Sequence, residues 1–404
     1  MIPYEEALQR LLAHLHAMEP SSEPLTPLVG PDGPRRPRWI GADVPSPVSL
    51  PPFDNAAVDG YAVRAAETRP VDGQPAILRV AGESAAGTAE PPAVGQGEAV
   101  RIFTGAPVPA GADAVVMQED CDVDDAKTVA VLEPAKPWEG IRIRGEDVKA
   151  GEYVARKGDV LDAQRLALLM AAGMDSLPLH PSPTVALLGS GNELVPPGRP
   201  LTPGRVHECN LGPLGWLCES AGGRVVSTAS VPDEPAVIRR ALEDAATKAR
   251  VILTIGGASV GDHDHLRNVA VEAGFRVDLW KLALKPGKPF FAGQRGDTLL
   301  LGVPGNPVSA FVTTLLLVLP VLRTLAGCPR PLPPTRPGIL AAPLTNPDAR
   351  RHFMRVRIDE YGVVRPTGAQ GSHILSSLAP ANGLVDVPPK ASLAIDTVVR
   401  VVVW

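Results

Sequence analysis

Aromatic residues make up only 4% of this 404-residue chain, and its four cysteines are scattered at positions 121, 209, 218 and 328. No C-x-x-C pair exists among them, which excludes a small disulfide framework and the usual zinc spacings. Cys121, Cys209, Cys218 and Cys328 are therefore expected to be free structural thiols of a reducing cytoplasm. No excess of positive charge is present: 39 Lys and Arg stand against 44 Asp and Glu, for a net charge of −5. That balance argues against a nucleic-acid-binding protein, and any anion site must depend on local Lys and Arg. A long hydrophobic run is also missing. The longest, Val308 to Leu322, is broken by Thr313, Thr314 and Pro320 and falls short of the ~20 residues needed to span a bilayer. It reads as a buried core helix, and no membrane partner is expected. The amino-terminal MIPYEEALQRLLAHL carries acids and no apolar core, so a signal peptide is not expected. There is no G-x-x-x-x-G-K-[ST] loop. The GSGNEL segment at 189–194 has Leu194 where a dinucleotide fingerprint needs its third glycine, which removes the pyridine-nucleotide reading.

What is abundant is proline and glycine, 45 and 39 residues, concentrated in turns and strand-ending loops. With 45% hydrophobic residues and a mean hydropathy of +0.07, the chain has enough apolar surface for a normal core. Its length predicts two to four domains. Residues 4–18 show helical periodicity, and 20–52 read as an extended connector. Short β runs (AILRVAG, EAVRIF, DAVVMQ, TVAVLE) between 69 and 131 predict a β-rich module. Residues 162–173 form a short helix that Gly173 can close. Strands at 184–188, 224–228, 251–255 and 298–303 then alternate with helices near 211–220, from 235, after 264 and after 307. This alternation predicts a doubly wound, mostly parallel sheet. Beyond 329, IDEYGVVRPTG and TVVRVVVW predict a compact β domain with no helical period between them.

The most informative stretch is 251–311, which contains VILTIGGASVGDHDH, KLALKPGKPF and TLLLGVPGNPVSAF. Each is a buried-looking strand running into a loop of Gly, Pro and cationic or hydroxyl residues. Such loops at the carboxyl ends of parallel strands bind ligands in α/β proteins. Backbone N–H groups at helix starts, beside Lys285 and Lys288, suit an anion. Taken singly the motifs are weaker. GGASVGD is equally a tight strand-to-helix turn, and Asp264 equally an N-cap. His263 and His265 alternate with aspartates on a loop, so they cannot all share one ion, and they read as solvated. PPFDNAAVDGYAV alone is an Asx-turn loop.

As an ordered set, PFDNAAVDGYAV, RIFTGAPVPAGADAVVMQE, RGEDV, GNEL, GGASVGDHD, KLALKPGKPF, GVPGNPVSA and QGSHI resemble the molybdopterin molybdotransferase family, the MoeA proteins and the gephyrin E domain. The motifs run from Pro52 to Ile374 in the family's order. The resemblance implies a multidomain α/β and β protein. A discontinuous helical and extended dimerisation domain would span 1–53 and 139–180, and a β-rich domain 54–138. A central doubly wound, mostly parallel α/β domain of molybdopterin-binding type would span 181–328, and a C-terminal β-barrel-like domain 329–404. It further implies a cytoplasmic homodimeric transferase that touches other cofactor-synthesis proteins transiently. That enzyme inserts molybdate into adenylylated molybdopterin with Mg²⁺-dependent release of AMP. By the same resemblance Asp59, Asp147, Glu193, Asp233 and Asp264 are catalytic acids, with Asp59, Glu193 and Asp264 also holding the metal. Gly256, Gly257 and Ser259 would cradle the terminal phosphate. Thr104, Arg142, Pro304, Pro307, Lys281, Lys285, Lys288, Ser309, Arg355 and Ser372 would contact the pterin substrate or molybdate. Asn192 stands where many relatives carry Asp, which puts its share in metal binding in doubt. A non-enzymatic molybdate or cofactor carrier, or a gephyrin-like scaffold, is the alternative reading. A carrier has no use for the acidic cluster.

Overall fold

The computed structural model describes residues 1–25, 36–125, 127–256 and 265–404. The chain forms two compact units. One comprises Met1–Ala42, Lys157–Leu161 and Ser176–Trp404, and the other Asp43–Arg156 and Asp162–Asp175.

The first unit is built on a six-stranded sheet whose strands lie in the order Arg224–Val231, Thr184–Ser190, Val251–Ile255, Thr298–Val303, Phe291–Arg295, Arg276–Trp280. The first four are mutually parallel, and the last two run antiparallel at one edge. The apolar run of Val251–Ile255 is buried throughout because helices cover both faces of the sheet. Side-chain alternation divides the core accordingly. Val185, Leu187, Val251, Leu253 and Ile255 pack with helices Leu211–Ser220 and 307–325. Ala186, Leu188 and Ile252 pack with Pro235–Lys248 and with buried residues of His265–Glu272 on the other side. The predicted parallel series is present. The two further strands, Phe291–Arg295 antiparallel to Thr298–Val303 and Arg276–Trp280 antiparallel to it at the edge, go beyond the sequence expectation, since neither carries a continuous apolar run.

The segment 307–325 is the only helix among the described residues long and apolar enough to cross a membrane, and 83% of its apolar window is buried inside the protein. It is a core helix, as its interruption by Thr and Pro suggests. Pro307 opens it, and a π turn at Thr314–Val318 precedes Pro320, which has no N–H to give to a regular turn. The amino-terminal helix is shorter than the periodicity indicates, ending at Leu12. Beyond it the chain leaves the helical path, and the Met18 N–H donates to the Leu325 carbonyl at 2.9 Å.

A second six-stranded sheet in the same unit has the order Leu284–Lys285, Arg351–Ile358, Val363–Pro366, Thr335–Leu340, Val398–Val403, Gly383–Val387. One correction applies here: the short helix Leu375–Leu378 interrupts what reads as an all-strand region. Its four residues are too few to show a period. The other compact unit holds a six-stranded sheet ordered Ala114–Met117, Gly60–Val63, Glu98–Ile102, Ala76–Ser84, Thr128–Val131, Cys121–Asp125. Its helix Ala163–Ala171 is capped by Asp162, which accepts from the Arg165 N–H at 2.8 Å.

Candidate functional site

In the first unit the site residues gather where parallel strands end. Gly256 follows Val251–Ile255 with φ +90°, and a Cβ there would lie 2.6 Å from the Ser190 carbonyl oxygen. Its N–H donates to the Val303 carbonyl at 3.3 Å. A Cβ on Gly305 would lie 3.4 Å from the Gly256 Cα. Gly256, left-handed and pressed against the Ser190 carbonyl, therefore admits no side chain, and Gly305 lies in contact with it. Gly257, Ser259 and Asp264 lie outside the described residues, as does the rest of the 257–264 loop.

The PGNP turn is tied to the second sheet. The Asn306 side-chain amide donates to Ser372 Oγ at 3.2 Å, and the Val308 N–H donates to the Ser372 carbonyl at 3.2 Å. Pro304 and Pro307 bracket this turn, and Ser309 behind it is buried at 4% exposure. Arg355 is wholly buried. Its Nε donates to Ser377 Oγ at 3.0 Å, and its Nη2 donates to the carbonyls of Ala369 at 2.9 Å and Gly371 at 3.1 Å. Arg355 therefore staples the 369–377 segment that presents Ser372. Its Nη1 is buried without a hydrogen-bond partner among the described residues. Burial also lowers its pKa from the ordinary arginine value.

The lysines are placed unequally. Gly287 has φ +126°, and a Cβ on it would lie 2.4 Å from Thr313 Cγ2, so the KPGK turn packs directly on the core helix that begins at Pro307. The Leu282 N–H donates to the Lys288 carbonyl at 2.9 Å, which closes this turn. Lys285 Nζ lies 3.6 Å from Asp348 Oδ2. Lys281 instead sits with its Nζ 3.7 Å from the centroid of Trp280, a cation–π contact rather than a place in the loop cluster. Glu193 is exposed. Asn192 ties two loops together, because its Oδ1 accepts from the Asp233 N–H at 3.1 Å and its carbonyl accepts from Arg205.

In the second unit Asp59 immediately precedes strand Gly60–Val63, and Thr104 follows the antiparallel neighbour Glu98–Ile102, with Gly60 opposite Ile102. The register brings them together. Asp59 Oδ1 accepts from the Thr104 N–H and from Thr104 Oγ1, each at 2.7 Å. These two bonds, first the backbone and then the hydroxyl, hold the Asp59 pKa below the usual carboxylate value, with a smaller pull from Arg101. Gly60 admits no side chain, because a Cβ would lie within bonding range of the Val116 carbonyl oxygen, at 1.8 Å. Arg142 is exposed on Ile141–Arg142 and pairs with Asn55 in the DNAAVDG segment. Asp147 is also exposed, and its N–H donates to the Leu50 carbonyl at 3.1 Å.

Sequence reasoning passes over Arg101, whose guanidinium donates to Gln118 and lies 5.0 Å from the Tyr61 ring. Alternation along EAVRIF, with Arg101 opposite Tyr61, is the available signal. It also passes over Asp348, Arg350 and His352, which no motif marks. Among the described residues no group of three His, Cys, Asp or Glu side chains is placed to hold a metal. All four cysteines are free, and burial raises the thiol of Cys218 to about 12.

An open, mostly parallel α/β sheet with helices on both faces, joined in one compact unit to a six-stranded β sheet, defines a multidomain α/β and β protein. The chain matches the model of the MoeA N-terminal region (domain I and II) at residues 2–173. It also matches a probable molybdopterin binding domain at 186–324 and the MoeA C-terminal region (domain IV) at 337–404. It is 39% identical over 388 residues to molybdopterin molybdenumtransferase 2 of Mycobacterium tuberculosis, covering 94% of each chain. To molybdopterin molybdenumtransferase of Haemophilus influenzae it is 37% identical, covering 85% of each. Two crystal structures of the MoeA protein of Pyrococcus horikoshii, each 30% identical, superpose with TM-scores of 0.84 and 0.80. These cover all of this chain and 99% and 100% of theirs. The chain belongs to the MoeA family of molybdopterin molybdenumtransferases.

Proposed function

We propose that this protein is a molybdenum insertase, transferring molybdate to the dithiolene of adenylylated molybdopterin while the pyrophosphate bond is cleaved and AMP leaves. The observation that carries the reading is the junction of PGNP and QGSH. There Asn306 and Ser372 lock two sheets together at a glycine-cleared strand end, and the unpartnered Arg355 Nη1 lies buried. Molybdate is a tetrahedral dianion, so it needs cations and hydrogen-bond donors rather than carboxylates. Arg355 Nη1, Ser309, Ser372, Lys285 and Lys288 supply that donor set. Pro304 and Pro307 fix the turn, and Gly256, Gly257 and Ser259 receive the terminal phosphate of the pterin.

The carboxylates serve the other half of the reaction. Asp59, Asp147, Glu193, Asp233 and Asp264 are hard oxygen donors, which is the chemistry Mg²⁺ selects. Mg²⁺ is usually held by one or two carboxylates plus substrate phosphates rather than by an all-protein cage. By the resemblance, Asp59, Glu193 and Asp264 are the carboxylates from which such a ligand would be drawn, and the ion would neutralise charge on the pyrophosphate. Thr104 keeps Asp59 ionised and aimed, and Arg142 offers a cation beside the same turn. A mere carrier of molybdate gains nothing from a carboxylate held in its charged form. The enzyme works as a cytoplasmic homodimer on this reading.

Titrating molybdate while measuring AMP release tests the division. Lys288→Ala should raise the molybdate requirement roughly tenfold, as for a lost charged hydrogen bond. Asp59→Asn should cut the maximal rate with little change in that requirement. The reverse pattern would mean the two groups of residues are assigned the wrong way round.

A further inference from the structure

Lys285 and Lys288 flank one Pro-Gly turn, yet their charges are treated differently. Lys285 faces Asp348 at 3.6 Å, whereas Lys288 makes no ion pair with a described residue. The aspartate is rigidly built. Asn346, 1% exposed, donates from its side-chain amide to the carbonyls of Arg350, Val387 and Pro388 at 2.9, 3.1 and 2.9 Å. Its Oδ1 accepts from the Asp348 N–H at 3.1 Å. Asp348 in turn accepts from the Arg350 N–H at 3.1 Å, from Nε at 3.2 Å and from Nη2 at 3.0 Å. Its side-chain bonds to Arg350 above all hold its pKa far below the usual carboxylate range.

Two features of this cluster point to partner exchange. The first is an asymmetry of dependence. Asp348 is already satisfied by Arg350 and by the turn, so Lys285 can leave without stranding a carboxylate. The 3.6 Å separation is longer than the ~2.7–2.9 Å of a strong charge-assisted hydrogen bond. The second is the neighbouring imidazole. Leu284–Lys285 pairs in parallel with Arg351–Ile358, placing Lys285 opposite His352. His352 is 2% exposed with neither ring nitrogen partnered, so a buried polar group with free hydrogen-bonding capacity stands beside Lys285.

We propose that Asp348 is a placeholder for the oxyanion at Lys285: it neutralises the ammonium in the empty site and gives it up when molybdate arrives. Asp348 is thus a positioning residue that sets molybdate affinity without touching the reacting atoms. The inference rests on Lys285 being an oxyanion ligand, and its test is arranged to separate the two claims.

Equilibrium dialysis of molybdate against the intact chain would compare wild type, Asp348→Asn, Lys285→Ala and the double variant. For a partly exposed pair, Asp348→Asn should tighten molybdate binding by roughly two- to fivefold. It should have no effect in the Lys285→Ala background. Asp348→Ser keeps an oxygen for the Arg350 N–H and must move affinity in the same direction. Unchanged or weaker binding in both Asp348 variants, with Lys285→Ala still weakening it, overturns the placeholder and leaves the oxyanion reading standing. Unchanged binding in Lys285→Ala removes Lys285 from the oxyanion site and the placeholder with it.

Discussion

The two six-stranded sheets of the first unit support polar chemistry in opposite ways. The parallel sheet is covered by helices on both faces and gives the site backbone: a strand end cleared by Gly256, with no charged side chain buried in its interior among the described residues. The C-terminal sheet gives the site side chains. Arg355 sits fully buried in Arg351–Ile358, and Asp348 and Arg350 are fixed just before that strand. A sheet covered by helices cannot carry buried charge along its strands without a partner, so it offers N–H groups at its ends. The second sheet can bury an arginine because the 369–377 segment folds over it and accepts its donors.

The sharpest way to break this comparison is to remove the arginine. Arg355→Met leaves Ser377 Oγ and the carbonyls of Ala369 and Gly371 without their donor, and should cost about 2–4 kcal/mol in denaturant unfolding, at roughly 1–3 kcal/mol for each buried group left unpaired. Molybdate binding should fall with it, because Ser372 loses its anchor. Lysine should not rescue, since one ammonium cannot reproduce the planar fork. A loss within about 0.5 kcal/mol, ordinary for a surface position, would show that the second sheet does not depend on its buried charge.

A smaller effect sharpens the contrast through pH. Burial, with help from Lys285 and Arg355, pushes the His352 pKa down to about 4. The folded state therefore favours the neutral ring. Stability tied to it is present above the unfolded value near 6.5 and is lost as pH falls through about 4. The difference amounts to at most about 3 kcal/mol. His352→Phe should flatten thermal stability between these pH values and leave it unchanged or higher at pH 7, because an unpartnered polar ring is removed. An acid slope equal to that of the wild type would place the titrating group elsewhere.

Much of the parallel sheet is legible in the sequence. Val251–Ile255 and Thr298–Val303 are apolar runs ended by glycine or proline, and both coincide with the predicted strands. The turn at Gly256 is legible too, because a strand-ending glycine marks a left-handed turn or a close backbone approach. The helix 162–173 is legible through its Asp cap and closing glycine. The last two strands are not: Arg276–Trp280, at the edge, is largely exposed and shares its polarity with loops, and Phe291–Arg295 has only Phe291 and Ala292 as apolar residues before Gly293. Neither is the stapling by Arg355. Its side-chain partners lie 14 to 22 positions away in sequence, and nothing local distinguishes such an arginine from a surface one. Asp348 is hidden for the same reason: NPDAR is an ordinary Asx turn until strand pairing brings Lys285 to it.

The most direct test of the whole account is the release of AMP from adenylylated molybdopterin by the purified chain, with Mg²⁺ present or chelated and molybdate either added or withheld. The account predicts AMP release that depends on molybdate and on Mg²⁺, with a molybdenum-loaded pterin as the second product. Tight molybdate binding with no AMP released under any of these conditions would contradict it and leave a carrier in its place.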